Sequence, residues 1–180
     1  MSVVENAREQ LLSNGTWSVD PGRSAVEFRV KHMLIQTVKG RFRDFDGAIV
    51  AGPRPTVSGS IRVASLETPD EELDAHLRSP VFFDVERHPE ISFEARGMRF
   101  NGDETSFALP GELTIKGVTR PITLAGTVLA PGDETIALAL RGQLDRSDYG
   151  LVWNRMLETG GVLVGDTVDL ALDVAAVRVD

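Results

Sequence analysis

The sequence of 180 residues contains no cysteine. Disulfides, thiolate metal sites and a cysteine nucleophile are all excluded by that absence. No run of apolar residues approaches the length of a membrane span. The first ten residues, Met1 to Gln10, lack the basic start and long apolar stretch of a secretory leader, so a cytoplasmic location is expected. Nor is there an excess of positive charge. A net charge of −8 and a pI near 4.9 argue against nucleic acid or an anionic membrane as the main partner. There is no G-x-S-x-G elbow, no phosphate-cradling glycine loop and no dinucleotide fingerprint. His32, His76 and His88 have no short ligand spacing, so neither a metal nor a cofactor is expected.

What the chain does have is alternation. Val26, Phe28 and Val30 alternate with Glu27, Arg29 and Lys31, and Val38, Gly40 and Phe42 with Lys39, Arg41 and Arg43. The same period of two runs through Val57 to Val63, Glu112 to Lys116, Ile136 to Arg141 and Thr167 to Val174. Repeated alternation with one wet face indicates antiparallel strands. Gly52-Pro53, Asn101-Gly102, Lys116-Gly117 and Pro131-Gly132-Asp133 supply the breaks. The expected class is all-β, a sandwich or a barrel.

Two segments depart from the alternation. Ser2 and Glu5 have capping-box spacing, Val3, Val4, Ala7 and Leu11 share a helical face, and Asn14-Gly15 supplies a stop. Residues 1–14 are therefore expected to form a helical extension, either a lid or a segment packed outside, ahead of a barrel domain over residues 15–180. In the middle of the chain, Thr68 as cap and Pro69 in the first turn predict a short helix from Asp70 to Arg78, with a second helix start at Ser79-Pro80. A helical insertion next to the Phe82-Phe83 pair suits a barrel with one covered end.

Several blocks in order resemble the YceI-like family. They are Asp20-Pro21-Gly22-Arg23 through Phe28 to His32, Asp74-Ala75-His76-Leu77-Arg78-Ser79 with Phe82-Phe83-Asp84-Val85, and His88-Pro89-Glu90-Ile91-Ser92-Phe93. The most specific is Gly111-Glu112-Leu113-Thr114-Ile115-Lys116-Gly117-Val118-Thr119-Arg120-Pro121, followed by Arg146-Ser147-Asp148-Tyr149-Gly150-Leu151 and Asp166-Thr167-Val168. The resemblance runs from about Trp17 to the C-terminus. It implies an antiparallel, lipocalin-like β-barrel of about eight strands with an apolar lumen, binding of long isoprenoid chains, and a homodimer in several members. Arg23 and Leu73 depart from it, standing where the family often has histidine and arginine.

An eight-stranded barrel has room for one small or elongated ligand. Strand alternation directs Phe28, Val30, Phe42, Ile61, Phe93, Leu113, Ile115, Leu124 and Leu138 inward. Phe82, Tyr149 and Trp153, outside the cleanest strand runs, close the lumen or plug it. His32, in phase with Phe28 and Val30, is a candidate at the mouth. Arg78, Arg146 and Arg155 are candidates for a charged head group, since bidentate donors suit phosphate oxygens. The paired aspartates Asp44/Asp46 and Asp145/Asp148 lie in turn-like sequence, where aspartate commonly bonds its own backbone. The function expected is binding, sequestration or transport of an isoprenoid-like or other lipid ligand. The alternative is a cyclase or isomerase acting by enclosure of a flexible apolar substrate.

Overall fold

The structure is a computed structural model that describes residues 15–32, 36–102, 105–152 and 164–179; nothing is described of the side chains of Lys31, His32, Gln36 and Val164. The expected helix over residues 1–14, Trp153, Arg155 and the His32 side chain all lie outside the described part.

Eight antiparallel strands close into a ring. They are β1 (Gly15–Val19), β4 (Phe45–Ala51), β5 (Thr56–Arg62), β7 (Glu90–Arg96), β9 (Ser106–Ile115), β10 (Val118–Ala130), β11 (Thr135–Asp145) and β12 (Val164–Arg178), and β12 returns to pair with β1. The closing register sets Trp17 opposite Arg178 and Val19 opposite Ala176. The hairpin of β2 (Ala25–His32) and β3 (Gln36–Phe42) continues the wall beyond β1 and β4 along the same edge of β12, and β6 (Leu66–Glu67) adds a two-residue pairing to β3. The short strand β8 (Arg99–Phe100) pairs with β9. Among the described residues the single α-helix is α1 (Glu71–Arg78). None of the described helices is long and apolar enough to cross a membrane.

Local chemistry explains the turns. Lys116 and Gly117 both have positive φ, 51° and 76°, and join β9 to β10 directly. Two left-handed residues in a row match the right-handed twist of the flanking strands. Between strands, glycine makes room for rings. Gly40 stands opposite Phe28, and Gly126 opposite Phe107. A Cβ at Gly40 would come within 2.1 Å of the facing ring, and one at Gly126 within 2.2 Å. The missing side chain lets each phenylalanine lie flat across its neighbour strand.

The central insertion corrects the expected cap. Asp70, not Thr68, caps α1, accepting from Glu72 N at 3.0 Å and Leu73 N at 3.2 Å, and the helix begins at Glu71. The Thr68 hydroxyl instead bonds Asp70 O at 3.1 Å and the buried Asp74 carboxylate at 2.5 Å. Pro69, ahead of the cap, extends the chain into it rather than starting the helix. The second expected helix, at Ser79-Pro80, is a series of turns: Phe82 N and Asp84 N both donate to Ser79 O.

Buried side chains gather in two clusters, one toward each end of the strands. At one end Trp17, fully buried, sits with Ile49, Ala51, Ala95, Phe107, Val128, Ile136 and Ala176. Toward the other, Val26, Phe42, Phe45, Val63, Leu66, Phe82, Ile91 and Tyr149 pack beneath α1 and the turns after it.

Candidate functional site

Between these two packed regions lies a cavity of about 840 Å³. That falls within the range of small-molecule sites. Its wall is built by the alternation read from the sequence. Val26, Phe28 and Val30 of β2 and Val38 and Phe42 of β3 line one side; Phe45, Ile49, Val57, Ile61, Ile91 and Phe93 line another. Leu109, Leu113 and Ile115 of β9, Ile122 and Leu124 of β10, Leu138, Leu140 and Leu144 of β11, and Val168, Leu170, Leu172 and Val174 of β12 complete it. Every residue that the strand pattern directs inward is therefore on the wall. Phe93 illustrates the local rule: it lies over Gly111, where a Cβ would come within 2.6 Å of the ring.

The cavity is lined in part by exposed residues. The exposed residues Thr37 and Lys39 of β3 line it, and so do Pro69, Asp70 and Glu72 at the start of α1. Among the described residues, those of β3 ahead of Arg41 pair with β2 on one side and with no strand on the other, since β6 reaches only Arg41 and Phe42. Exposed lining residues are thus contributed by this edge of β3 and by the first turn of α1, and also by Asp46 and Ser58 on β4 and β5. Gly47 and Gly59, paired across β4 and β5, also line the cavity, with the Val19 side chain over Gly47.

Of the expected closing aromatics, Phe82 lines the cavity, with Phe83 set edge-on to it at 4.9 Å between ring centroids. Tyr149 does not. It ends a 3-10 turn (Arg146–Tyr149), is buried in the packed cluster beside Leu151, and stands apart from the lining. Burial, ahead of the nearby Asp148 charge, pushes its phenol above the ordinary tyrosine pKa.

The three arginines expected near a head group are not brought together. Arg78 lies away from the lining and donates to the carbonyls of Ala64 and Leu66, fastening α1 to β6. Arg146 does line the cavity and is only 3% exposed. Its Nε donates to Gly165 O at 2.9 Å and its Nη1 to Leu151 O at 2.6 Å, with Asp166 at 3.5 Å from Nη2. Arg155 lies outside the described residues. Lys39, Arg41 and Arg43 form an exposed face paired with Glu27 and Glu67. The Arg43 hydrogen bond holds the Glu67 carboxyl below the usual glutamate range. The aspartate pairs behave as turn residues and surface partners. Asp145 accepts from Ser147 N at 2.9 Å and Asp46 pairs with Arg62 at 2.5 Å.

Thr68, Asp70, Glu72, Leu73 and His76 belong to the cavity but were missed by strand alternation. They sit on and just before α1, and no period of two marks them. The one available signal is the position of a capped helix between strands.

The YceI-like domain profile matches residues 17–176. A UPF0312 protein of Staphylococcus aureus is 32% identical over 162 residues, covering 84% of this chain and 91% of its own length. Among solved structures, BcnA of Burkholderia cenocepacia superposes with a TM-score of 0.77 at 23% identity, over 87% of this chain and 98% of its own. A polyisoprenoid binding domain from Saccharophagus degradans, implicated in plant cell wall breakdown, gives 0.71 at 15% identity, over 91% and 98%. The YCEI protein of Campylobacter jejuni gives 0.67 at 28% identity, over 83% and 90%. Profile, sequence relatives and barrel topology agree, and the chain belongs to the YceI-like family.

Proposed function

We propose that this protein binds a single elongated apolar molecule, an isoprenoid-like or other lipid chain, inside its barrel and so sequesters or carries it. The observation that carries the reading is the cavity itself. Its 840 Å³ corresponds to about 28 water-sized units at roughly 30 Å³ each. Removing some twenty carbons from water is worth on the order of 16 kcal/mol at about 0.8 kcal/mol per methylene. Association costs take back roughly half of that, which leaves micromolar binding or tighter. No polar contact is needed to reach such an affinity. Phe28, Val30, Phe42, Phe82, Phe93, Leu113, Ile115, Leu124 and Leu138 are the proposed contact residues. The likeness to a polyisoprenoid binding domain supports a long branched hydrocarbon as the class of occupant.

Displacement of a fluorescent apolar probe by geranylgeraniol tests the reading, with one equivalent expected at saturation. Replacing Phe93 with Asp sets a carboxylate against the lumen and is expected to abolish displacement. Undiminished binding by a folded Phe93→Asp protein would refute a lumen site.

A further inference from the structure

Glycines recur on the inner face of the strands, and a neighbouring side chain usually takes the space each one leaves. Phe28 lies over Gly40, Phe107 over Gly126 and Val19 over Gly47, at 2.1, 2.2 and 3.0 Å from where a Cβ would stand. Gly59 of β5 is different. It faces the lumen, because it lies directly across from Phe93 of β7 and between Val57 and Ile61, all of which line the cavity. A Cβ there would meet nothing beyond its chain neighbours except the backbone oxygen of Asp46, at 3.7 Å.

The two side chains nearest to covering Gly59 are turned elsewhere. The Phe93 ring leans the other way, onto Gly111 of β9, and Val19 lies over Gly47 on the β4 side. What remains is a recess in an otherwise apolar wall, floored by the backbone of β5. A straight hydrocarbon chain passing this recess leaves its walls without partner atoms on one side and forfeits dispersion contact. A chain that carries methyl branches can set one of them into it.

We infer that the recess over Gly59 seats a methyl branch of the bound chain, which makes Gly59 the residue that sets the lumen's preference for branched over straight hydrocarbon. The inference rests on the lumen reading above and adds to it the position that discriminates between chain classes. Losing the seat of one methyl is worth about fourfold in Kd.

Gly59→Ala tests this without disturbing the protein. The new methyl meets only an ordinary contact at 3.7 Å, and alanine lifts the entropic cost of a glycine within a strand. The unfolding midpoint is therefore expected at or above that of the unaltered protein. Hexadecanol and its tetramethyl-branched counterpart dihydrophytol share one main chain, and both are offered as displacers of a fluorescent apolar probe. The extra methyls favour the branched compound by themselves, so the readout is the change in the ratio of the two affinities on substitution. Gly59→Ala is expected to weaken dihydrophytol about fourfold and to leave hexadecanol within about twofold. Gly59→Val, which fills more of the recess, is expected to weaken dihydrophytol by about tenfold or more. A ratio unmoved in the folded variants, or an equal loss for both compounds, overturns the branch pocket alone. A destabilised Gly59→Ala protein would show that the space is not open, and overturns it too. Failure of both compounds to displace the probe from the unaltered protein would instead remove the lumen reading, and this inference with it.

Discussion

A lumen of fixed size makes the affinity for a chain depend on its length, and then stop depending on it. Each added isoprene unit takes five carbons out of water, worth up to about 4 kcal/mol at roughly 0.8 kcal/mol per carbon. Ordering about three rotatable bonds gives back some 2 to 3 kcal/mol. The net gain is about 1 to 2 kcal/mol per unit, or roughly five- to thirtyfold in Kd. The gain ends when the cavity is full. With room for about 28 water-sized units, that point falls between roughly five and six isoprene units. A series of prenols from geraniol through farnesol and geranylgeraniol to longer homologues, read by displacement of a fluorescent probe, gives the whole curve. Replacing Leu138, on the wall at the packed end, with Trp is expected to move the plateau to a shorter chain. Affinity that is flat from geraniol onward would place the chains on the surface. Affinity still climbing steeply well past six units would mean that this cavity does not enclose them.

Other consequences follow from individual groups. Asp74 is buried and accepts from Thr68 N at 2.9 Å and from the Thr68 hydroxyl, so Asp74→Ala should cost about 2 kcal/mol in urea unfolding. An unchanged midpoint would contradict the role of that latch. Gly40→Val should destabilise the fold or drive the Phe28 ring into the lumen, with loss of probe binding in whatever protein remains folded. Tyr149, with its phenol pKa raised by burial, holds its proton more tightly folded than unfolded. Its contribution is fully present below pH 10 and is lost as pH rises through the folded value. Stability should therefore fall above about pH 10, and Tyr149→Phe should flatten that fall; an identical pH profile in the variant would contradict it.

The wall of the cavity was legible because a strand writes its inner face as every second residue. Phe28, Leu113 and Leu138 could be assigned inward from neighbours two positions away. The Lys116-Gly117 turn was legible for a similar local reason. Ring closure was not. Trp17 meets Arg178 across nearly the full chain, and that pairing depends on the tilt and stagger of all eight strands rather than on any local pattern. The α1 side of the cavity was hidden for another reason. Thr68, Asp70, Glu72 and His76 reach the cavity through the placement of α1, which follows from Arg78 and Asp74 anchoring it to β6 and the turn before it. The arginines misled because their chemistry suits two tasks. A guanidinium that can clasp phosphate can equally hold backbone carbonyls, as Arg78 and Arg146 do here. Capping showed the same ambiguity on a smaller scale, since Thr68 and Asp70 are both good caps and only packing of Asp74 against Thr68 decides between them.

The central claim is that the barrel encloses a real occupant. Native mass spectrometry of the protein purified from its own host, followed by organic extraction, tests it most directly. A single apolar molecule bound in near one-to-one ratio and released by solvent is the predicted result. Protein that shows only its bare mass, and that also fails to take up any prenol offered to it, would contradict the account.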